Sequence, residues 1–320
     1  MPYGYFAYNP SRINVGSVDW QRYEENVIVS PLYTVFRCLE GLNEDYLKYF
    51  LKSDKGKYYI QSKNGGSVRN SLKFDDLSEF EIDIKEIDEQ LDIVDKLKTI
   101  EQAIAHEERQ LDLYDELIKA RFVEMFGNPA TNPRKLEIKT LPELGEFGRG
   151  VSKHRPRNDE ALLGGPYPLI QTGDVSNSDL FITEYNSTYS ELGLKQSKMW
   201  NAGTLCITIA ANIAKTAILG FDACFPDSVV GFNANERTNN IFMHYWFMFF
   251  QEILEAQAPE SAQKNINIKI LSNLEIIVPN IDEQNIFAKF VLQVKDFKEE
   301  SRKRIDLYKE LFEKIVYESY

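Results

Sequence analysis

Ser67–Gln90 reads SVRNSLKFDDLSEFEIDIKEIDEQ, and Ser261–Gln284 reads SAQKNINIKILSNLEIIVPNIDEQ. They align without a gap at an offset of 194 residues and end on the same letters, IDEQ, at Ile87–Gln90 and Ile281–Gln284. Ser67, Leu77, Ser78, Glu81 and Ile82 match Ser261, Leu271, Ser272, Glu275 and Ile276. At the same offset Leu111–Leu117 (LDLYDEL) lands on Ile305–Leu311 (IDLYKEL). Several matches in one register mark a duplication, and a duplication sets the architecture before any single element does. Upstream the repeat is looser. Asn9–Val15 (NPSRINV) resembles Ala211–Thr216 (ANIAKT), Ser30–Pro31 falls near Ser228–Val229, and Met1 corresponds to a point near Trp200–Gly203. The stretch Leu136–Trp200 has no counterpart in the first repeat, which therefore reads as truncated at its N-terminal side.

Each IDEQ opens a helical pattern. Leu97, Ile104, Leu111, Ile118 and Met125 recur every seven residues, beside Ile100 and Tyr114. Phe287, Val294, Tyr308 and Ile315 recur likewise, beside Val291, Ile305 and Phe312. Such spacing keeps one apolar seam on one side of a helix, interrupted here by Glu107 and Ser301. The residues expected to pair the two helices are Leu97, Ile104, Leu111, Ile118, Val294, Ile305, Tyr308 and Phe312. Gly127-Asn128-Pro129 stops the first helix. Between the helices, LGEFGRG, YPLIQTGDV, GTLCITIA, KTAILGF and DSVVGFN read as strands, and Ile241–Ile253 and Ile266–Leu271 as helical or mixed. In the first 80 residues, FAYNPSRINVGSV and NVIVSPLYTVFRC are followed by a helix over Asn43–Lys52, and a strand is expected near Phe80–Ile84. The fold class is α+β, with domains of mixed strands and short helices joined by two long helices packed as an antiparallel coiled coil. The expected boundaries are 1–84, 85–127, 128–280 and 281–320.

At 320 residues the chain has length for about two domains. Its 43% hydrophobic and 27% charged residues are those of a globular protein. Cys38, Cys206 and Cys224 form no CxxC and no disulfide framework, which fits a reducing cytoplasm. The richest apolar run, Ile241–Phe250, is too short to span a bilayer. The net charge of −12 argues against a simple nucleic-acid binder. The charge is uneven: residues 81–126 sum to −8 and residues 1–80 to zero. Val151–Asn158 (VSKHRPRN) carries Lys153, Arg155 and Arg157 with no acid.

In this order of domain, IDEQ helix, domain, IDEQ helix, the chain resembles the specificity (S) subunits of type I restriction–modification systems. The resemblance is carried by SRINVG (Ser11–Gly16), VSPLYTVFR (Val29–Arg37), YPLIQTGDV (Tyr167–Val175), LCITIAANIAKTAIL (Leu205–Leu219), SAQKNIN (Ser261–Asn267) and both IDEQ helices. It implies two target-recognition domains, each reading half of a split sequence in double-stranded DNA, and helices that dock modification (methyltransferase) subunits. It further implies that this chain has no active site and binds no cofactor. S-adenosylmethionine, ATP and Mg²⁺ would belong to the modification and restriction (translocase/nuclease) subunits. The truncated first domain adds a homodimer to the expected partners. At about 1.5 Å per residue, a helix of this length reaches roughly 55 Å, enough for a ruler between half-sites.

Base reading needs Arg, Lys, Asn or Gln at base edges and further cations on phosphates. In the second domain these candidates are Lys153, His154, Arg155 and Arg157; Gln171, Thr172 and Asp174 at a strand end; and Lys195, Gln196 and Lys198. Asn212, Lys215, Gln263, Lys264 and Asn265 complete that set. Arg12, Asn14, Arg69 and Asn70 repeat the chemistry in the first domain. The bland alternatives are a solvated loop, a simple turn and a surface charge run. A self-sufficient enzyme finds no support in GxGxxG, GxxxxGK[ST] or methyltransferase-like stretches. His106, His154 and His244 have no metal spacing. The remaining rivals are a helical scaffold that does not touch DNA, and a half subunit that homodimerises or competes for partners.

Overall fold

Alternation places Phe6 and Tyr8 on one face of β1 (Tyr5–Tyr8), where both are fully buried. β1 lies between β2 (Val18–Trp20) and β3 (Thr34–Arg37) in an antiparallel sheet of order β2-β1-β3. Behind it, α1 (Glu44–Lys52) turns Phe50 and Leu51 into the same core, with Ile60 from α2 (Asp54–Lys63). Next come α3 (Phe74–Ser78) and the first long helix, α4 (Ile87–Phe126). The computed structural model describes residues 1–23, 25–63, 71–210, 213–250, 253 and 267–320. These divide into two units, Met1–Asp112 with Lys298–Tyr320, and Leu113–Phe297.

The second unit opens with β4 (Glu137–Lys139), α5 (Leu141–Leu144) and β5 (Gly145–Arg149). β6 (Leu163–Leu169), α6 (Thr172–Asn177), β7 (Phe181–Ile182), β8 (Ser187–Tyr189), α7 (Glu191–Lys195) and β9 (Met199–Trp200) follow. Then come β10 (Leu205–Thr208), β11 (Thr216–Leu219), β12 (Ala223–Cys224) and β13 (Val229–Ala234). α8 (Asn240–Trp246), α9 (Ile268–Ser272), β14 (Ile276–Val278) and the second long helix, α10 (Ile281–Ser319), end the chain. The sheets have the orders β5-β13-β10-β11-β7, β8-β6-β12-β9 and β14-β4. Trp200 stacks on Phe225 at 5.1 Å between the two larger sheets. A Cβ on Gly231 would lie 2.7 Å from the Trp200 ring, so only glycine fits there.

The duplication is visible in atoms. Gln90 and Gln284, the last letters of the two IDEQ stretches, are both fully buried. Gln90 donates to the carbonyls of Gly41 and Lys85, each at 2.8 Å, and accepts from the Asn43 N–H at 2.9 Å. Gln284 donates to the carbonyls of Arg237 (3.0 Å) and Pro279 (2.9 Å) and accepts from the Asn239 N–H (3.3 Å) and the Thr238 hydroxyl (2.9 Å). Asn43 and Asn239 are themselves N-caps, of α1 and α8, accepting from the Tyr46 and Phe242 N–H groups. In each unit one amide therefore ties the start of a long helix to the start of a short one.

Neither long helix contains proline or glycine, and each begins with two acids in its first turn, Asp88 and Glu89 or Asp282 and Glu283, which suits the helix dipole. Gly127, at φ +79°, ends α4. The helices pack antiparallel. In the first unit Phe312 and Ile315 pack against the core cluster that holds Leu97, and Glu107 meets Arg304. In the second, Tyr114 stacks on Phe297 at 6.2 Å and Phe122 meets Phe287 at 5.5 Å. Leu97, Ile118, Val294 and Ile305 are buried; Ile104, Leu111, Tyr308 and Phe312 are half-buried. Phe122 and Phe126, outside the heptad rows, are fully buried.

The polar break in the seam is a paired layer. The Arg304 guanidinium grips Glu107 with two bonds (2.7 and 2.9 Å) and the Ser301 hydroxyl with a third (3.0 Å). That contact holds the Glu107 carboxyl below the usual carboxylate range. The strand expected near Phe80–Ile84 does not form. Its equivalent in the second unit, β14, is a strand because β4 lies beside it, and the first unit has no β4 counterpart among the described residues.

Candidate nucleic-acid interface

The Val151–Asn158 loop leaves β5 at Gly150, whose N–H donates to the Val229 carbonyl at 2.8 Å. A Cβ on Gly150 would lie 2.2 Å from the Phe225 carbonyl oxygen, so the loop can leave here only through glycine. The Gln196 side-chain oxygen accepts from the N–H groups of Lys153 (2.7 Å) and His154 (3.0 Å), and the Ser197 hydroxyl donates to the Val151 carbonyl (2.7 Å). Arg155 folds back onto the carbonyls of Ser152 and His154, both at 2.7 Å. Lys153, His154, Arg155 and Arg157 all remain exposed.

The loop sequence holds no acid before Asp159, but the fold supplies two. Asp227 pairs with Arg157 and lies 4.0 Å from Arg155. Asp159 meets His154 Nε2 at 3.0 Å, and the Ala161 N–H and this imidazole hold its carboxyl below the usual range. The local charge is thus more balanced than the sequence suggests. A phosphate arriving at Arg157 would compete with Asp227 for the guanidinium.

Three grooves receive the other candidates. Arg157, Gln171 and Thr172 line one of about 300 Å³ with Ser152, Ser187 and Ser228. Gln171 and Thr172 follow the end of β6 and open α6, Gln171 as its N-cap. Asp174 is a capping residue there, accepting from the Gln171 N–H (2.7 Å) and from Asn186 (3.0 Å). Lys198 lies 3.7 Å over the Trp200 ring and lines a second groove with Glu146 and Asn233. Lys215 lines a third with Asp179 and His244. Lys195 is exposed at the end of α7. Gln196 is half-buried and holds the loop backbone through its side-chain oxygen. In the first unit, Arg12 and Asn14 are exposed on a 3-10 turn at Ile13–Val15. Asn212, Gln263, Lys264, Asn265, Arg69 and Asn70 lie outside the described residues.

Sequence reasoning missed a cluster in the first unit. Asp45, buried, accepts from the Trp20 indole (2.8 Å) and Arg22 (3.2 Å) and pairs with Lys98 (2.5 Å), which keeps its carboxyl below the usual range despite burial. No motif announces it, because its members lie on β2, α1 and α4 and just beyond β2. Burial pushes the Cys38 thiol up to about 12 and raises those of Cys206 and Cys224, so none is a ready nucleophile. His244 is buried against the Thr216 hydroxyl at 2.9 Å. Among the described residues, no cluster of His, Cys, Asp or Glu could hold a metal ion, and no helix is long and apolar enough to cross a membrane.

A family model, the type I restriction modification DNA specificity domain, matches residues 5–113 and 133–307, one match on each repeat. The chain belongs to this family. Among curated relatives of the specificity-subunit family, a chain assigned as the type I restriction enzyme MjaX specificity subunit of Methanocaldococcus jannaschii is 20% identical over 279 residues. That match covers 85% of this chain and 66% of the relative. The HindI specificity subunit of Haemophilus influenzae is 24% identical over 211 residues, covering 62% and 45%. The chain thus spans less than two thirds of the length of the curated relatives it matches. Among solved structures, a chain from a study of complex assembly and conformational transition of the type I R-M system aligns at TM-score 0.67 and 18% identity. It covers all of this chain and 82% of that one. The type I S subunit of M. genitalium aligns at 0.60 and 13% identity, covering 99% and 82%. These likenesses establish the specificity-subunit fold.

Proposed function

We propose that this chain is the DNA-recognition subunit of a type I restriction–modification complex, reading part of a bipartite target and docking modification subunits through α4 and α10. The observation that carries the reading is the family match falling separately on both repeats, residues 5–113 and 133–307. The second unit reads DNA through the Val151–Asn158 loop and the groove of Arg157, Gln171 and Thr172. Exposed cations with hydrogen-bonding side chains beside them suit phosphate positioning with base contact. The first unit contributes Arg12 and Asn14. The chain supplies recognition and no catalytic group. S-adenosylmethionine, ATP and Mg²⁺ are handled by the methyltransferase and restriction subunits.

A second reading, a docking scaffold with no DNA affinity of its own, is favoured by the net charge of −12 and by Asp227 and Asp159 on the loop cations. A gel shift with the chain assembled on its modification subunits separates the two. Specific retention of duplex supports recognition; a complex that assembles but holds no duplex at low salt supports the scaffold.

A further inference from the structure

Asp159 and Asp174 are both held by backbone donors. Asp159 accepts from the Ala161 N–H at 3.0 Å, and Asp174 from the Gln171 N–H at 2.7 Å. Each closes a local turn of its own chain. Asp227 is different. Among the described residues its carboxylate accepts from no backbone N–H. Its partners are Arg157, on one oxygen, and Arg155, 4.0 Å from the other.

The backbone fixes where this acid stands. The Pro226 carbonyl accepts from the Val229 N–H at 3.0 Å, and the Phe225 carbonyl from the Val151 N–H at 3.0 Å. Asp227 thus sits on a turn tied to the start of the loop whose arginines it meets. Its neighbours Pro226 and Ser228 line the groove of Arg157, Gln171 and Thr172. In that groove the Ser152 hydroxyl is buried and, among the described residues, has no hydrogen-bond partner. The groove therefore holds a hydrogen-bonding group that the fold does not use. The Asp227 and Arg157 side chains are 37% and 45% exposed, so a duplex can reach both. A carboxylate offers about four acceptor positions, and the two arginines leave some of them open.

A fixed carboxylate in a DNA interface has two opposite effects. It repels a phosphate and occupies the guanidinium that the phosphate would take. It also accepts from a base amino group, cytosine N4 or adenine N6. The first effect acts in every register of a duplex, because non-specific binding is held by phosphate contacts. The second acts only where the sequence places an amino group at the groove. We propose, resting on the DNA-recognition reading above, that Asp227 is a specificity-determining residue of the second unit. It accepts from a base amino group at one position of the target, and by holding Arg157 it weakens binding to every other sequence.

The test compares the full chain with its Asp227→Ala variant, each assembled on the modification subunits. On random-sequence duplex the variant should bind about tenfold tighter, with a salt slope steeper by about one. Adding Arg157→Met should remove both gains. In selection from a random duplex pool followed by sequencing, the unsubstituted complex should enrich a motif containing adenine or cytosine at one position that the variant no longer prefers. The preference there should fall about tenfold, and the base that is lost tells adenine N6 from cytosine N4. Unchanged affinity for random duplex overturns the proposal and leaves DNA recognition standing. So does tighter binding with the motif intact, which would make Asp227 a competitor of phosphate and nothing more. If neither complex retains duplex at low salt, the DNA-recognition reading itself fails and the proposal falls with it.

Discussion

Gln90 and Gln284 show what a repeated word in a sequence can mean physically. A glutamine amide is both donor and acceptor, and here it satisfies carbonyls and N–H groups at a buried helix junction. Gln284→Glu preserves the shape but removes the donor to the carbonyls of Arg237 and Pro279. It should cost about 2–3 kcal/mol in urea unfolding, since a buried acceptor left unpaired carries its full desolvation penalty. A change within about 0.5 kcal/mol, the usual range for a surface substitution, would mean that the clamp is not structural. Glu107 makes a pH prediction. Its folded carboxyl lies below the ordinary value, so the folded chain binds fewer protons there than the unfolded chain. Its stabilisation is complete above the unfolded value of about 4.3 and is lost as pH falls through the depressed folded value. Arg304→Met should remove that acid-limb dependence, measured as unfolding midpoint against pH. A profile identical to that of the unsubstituted chain would place the dependence elsewhere. In the Val151–Asn158 loop, replacing Lys153, Arg155 and Arg157 by alanine should weaken DNA binding and lower the salt slope by about one per lost phosphate contact. Partner assembly should persist. Unchanged affinity would remove the loop from the interface.

Ile305, buried in the helix pair, gives the test at the scale of elements. Ile305→Asp places an unpaired charge in the seam and should cost about 3 kcal/mol or more, with loss of docking to modification subunits. Assembly that survives would show that the pairing face is not the docking scaffold. The helices were legible in sequence because a seven-residue apolar repeat without Pro or Gly admits few other structures. The Glu107–Arg304 layer was legible only as an interruption, since the partner lies 197 residues away. The strand expected at Phe80–Ile84 has the right alternation yet stays unpaired. Alternation reports which faces can be buried; a strand also needs a neighbour. The loop cations were legible as residues, while their pairing with Asp227 was not, because that acid arrives from a turn 70 positions on. The backbone contacts of Gln196 and Asp174 were equally hidden, because side chains able to contact bases are also able to hold their own backbone.

For the whole molecule, charge and fold point in different directions. A net charge of −12 is poor for non-specific DNA binding, and residues 81–126, which sum to −8, suit protein partners better than phosphates. DNA affinity on this account is local to exposed loops and strengthened by assembly, so the isolated chain should bind random duplex weakly and salt-sensitively. The central claim is that the duplicated chain sets the sequence specificity of a methylating complex. Methylome mapping of a host carrying the modification subunits, with and without this chain, tests it most directly. The account predicts a methylated motif in two parts that vanishes when the chain is removed and returns with it; a methylome that is the same in both strains would contradict it.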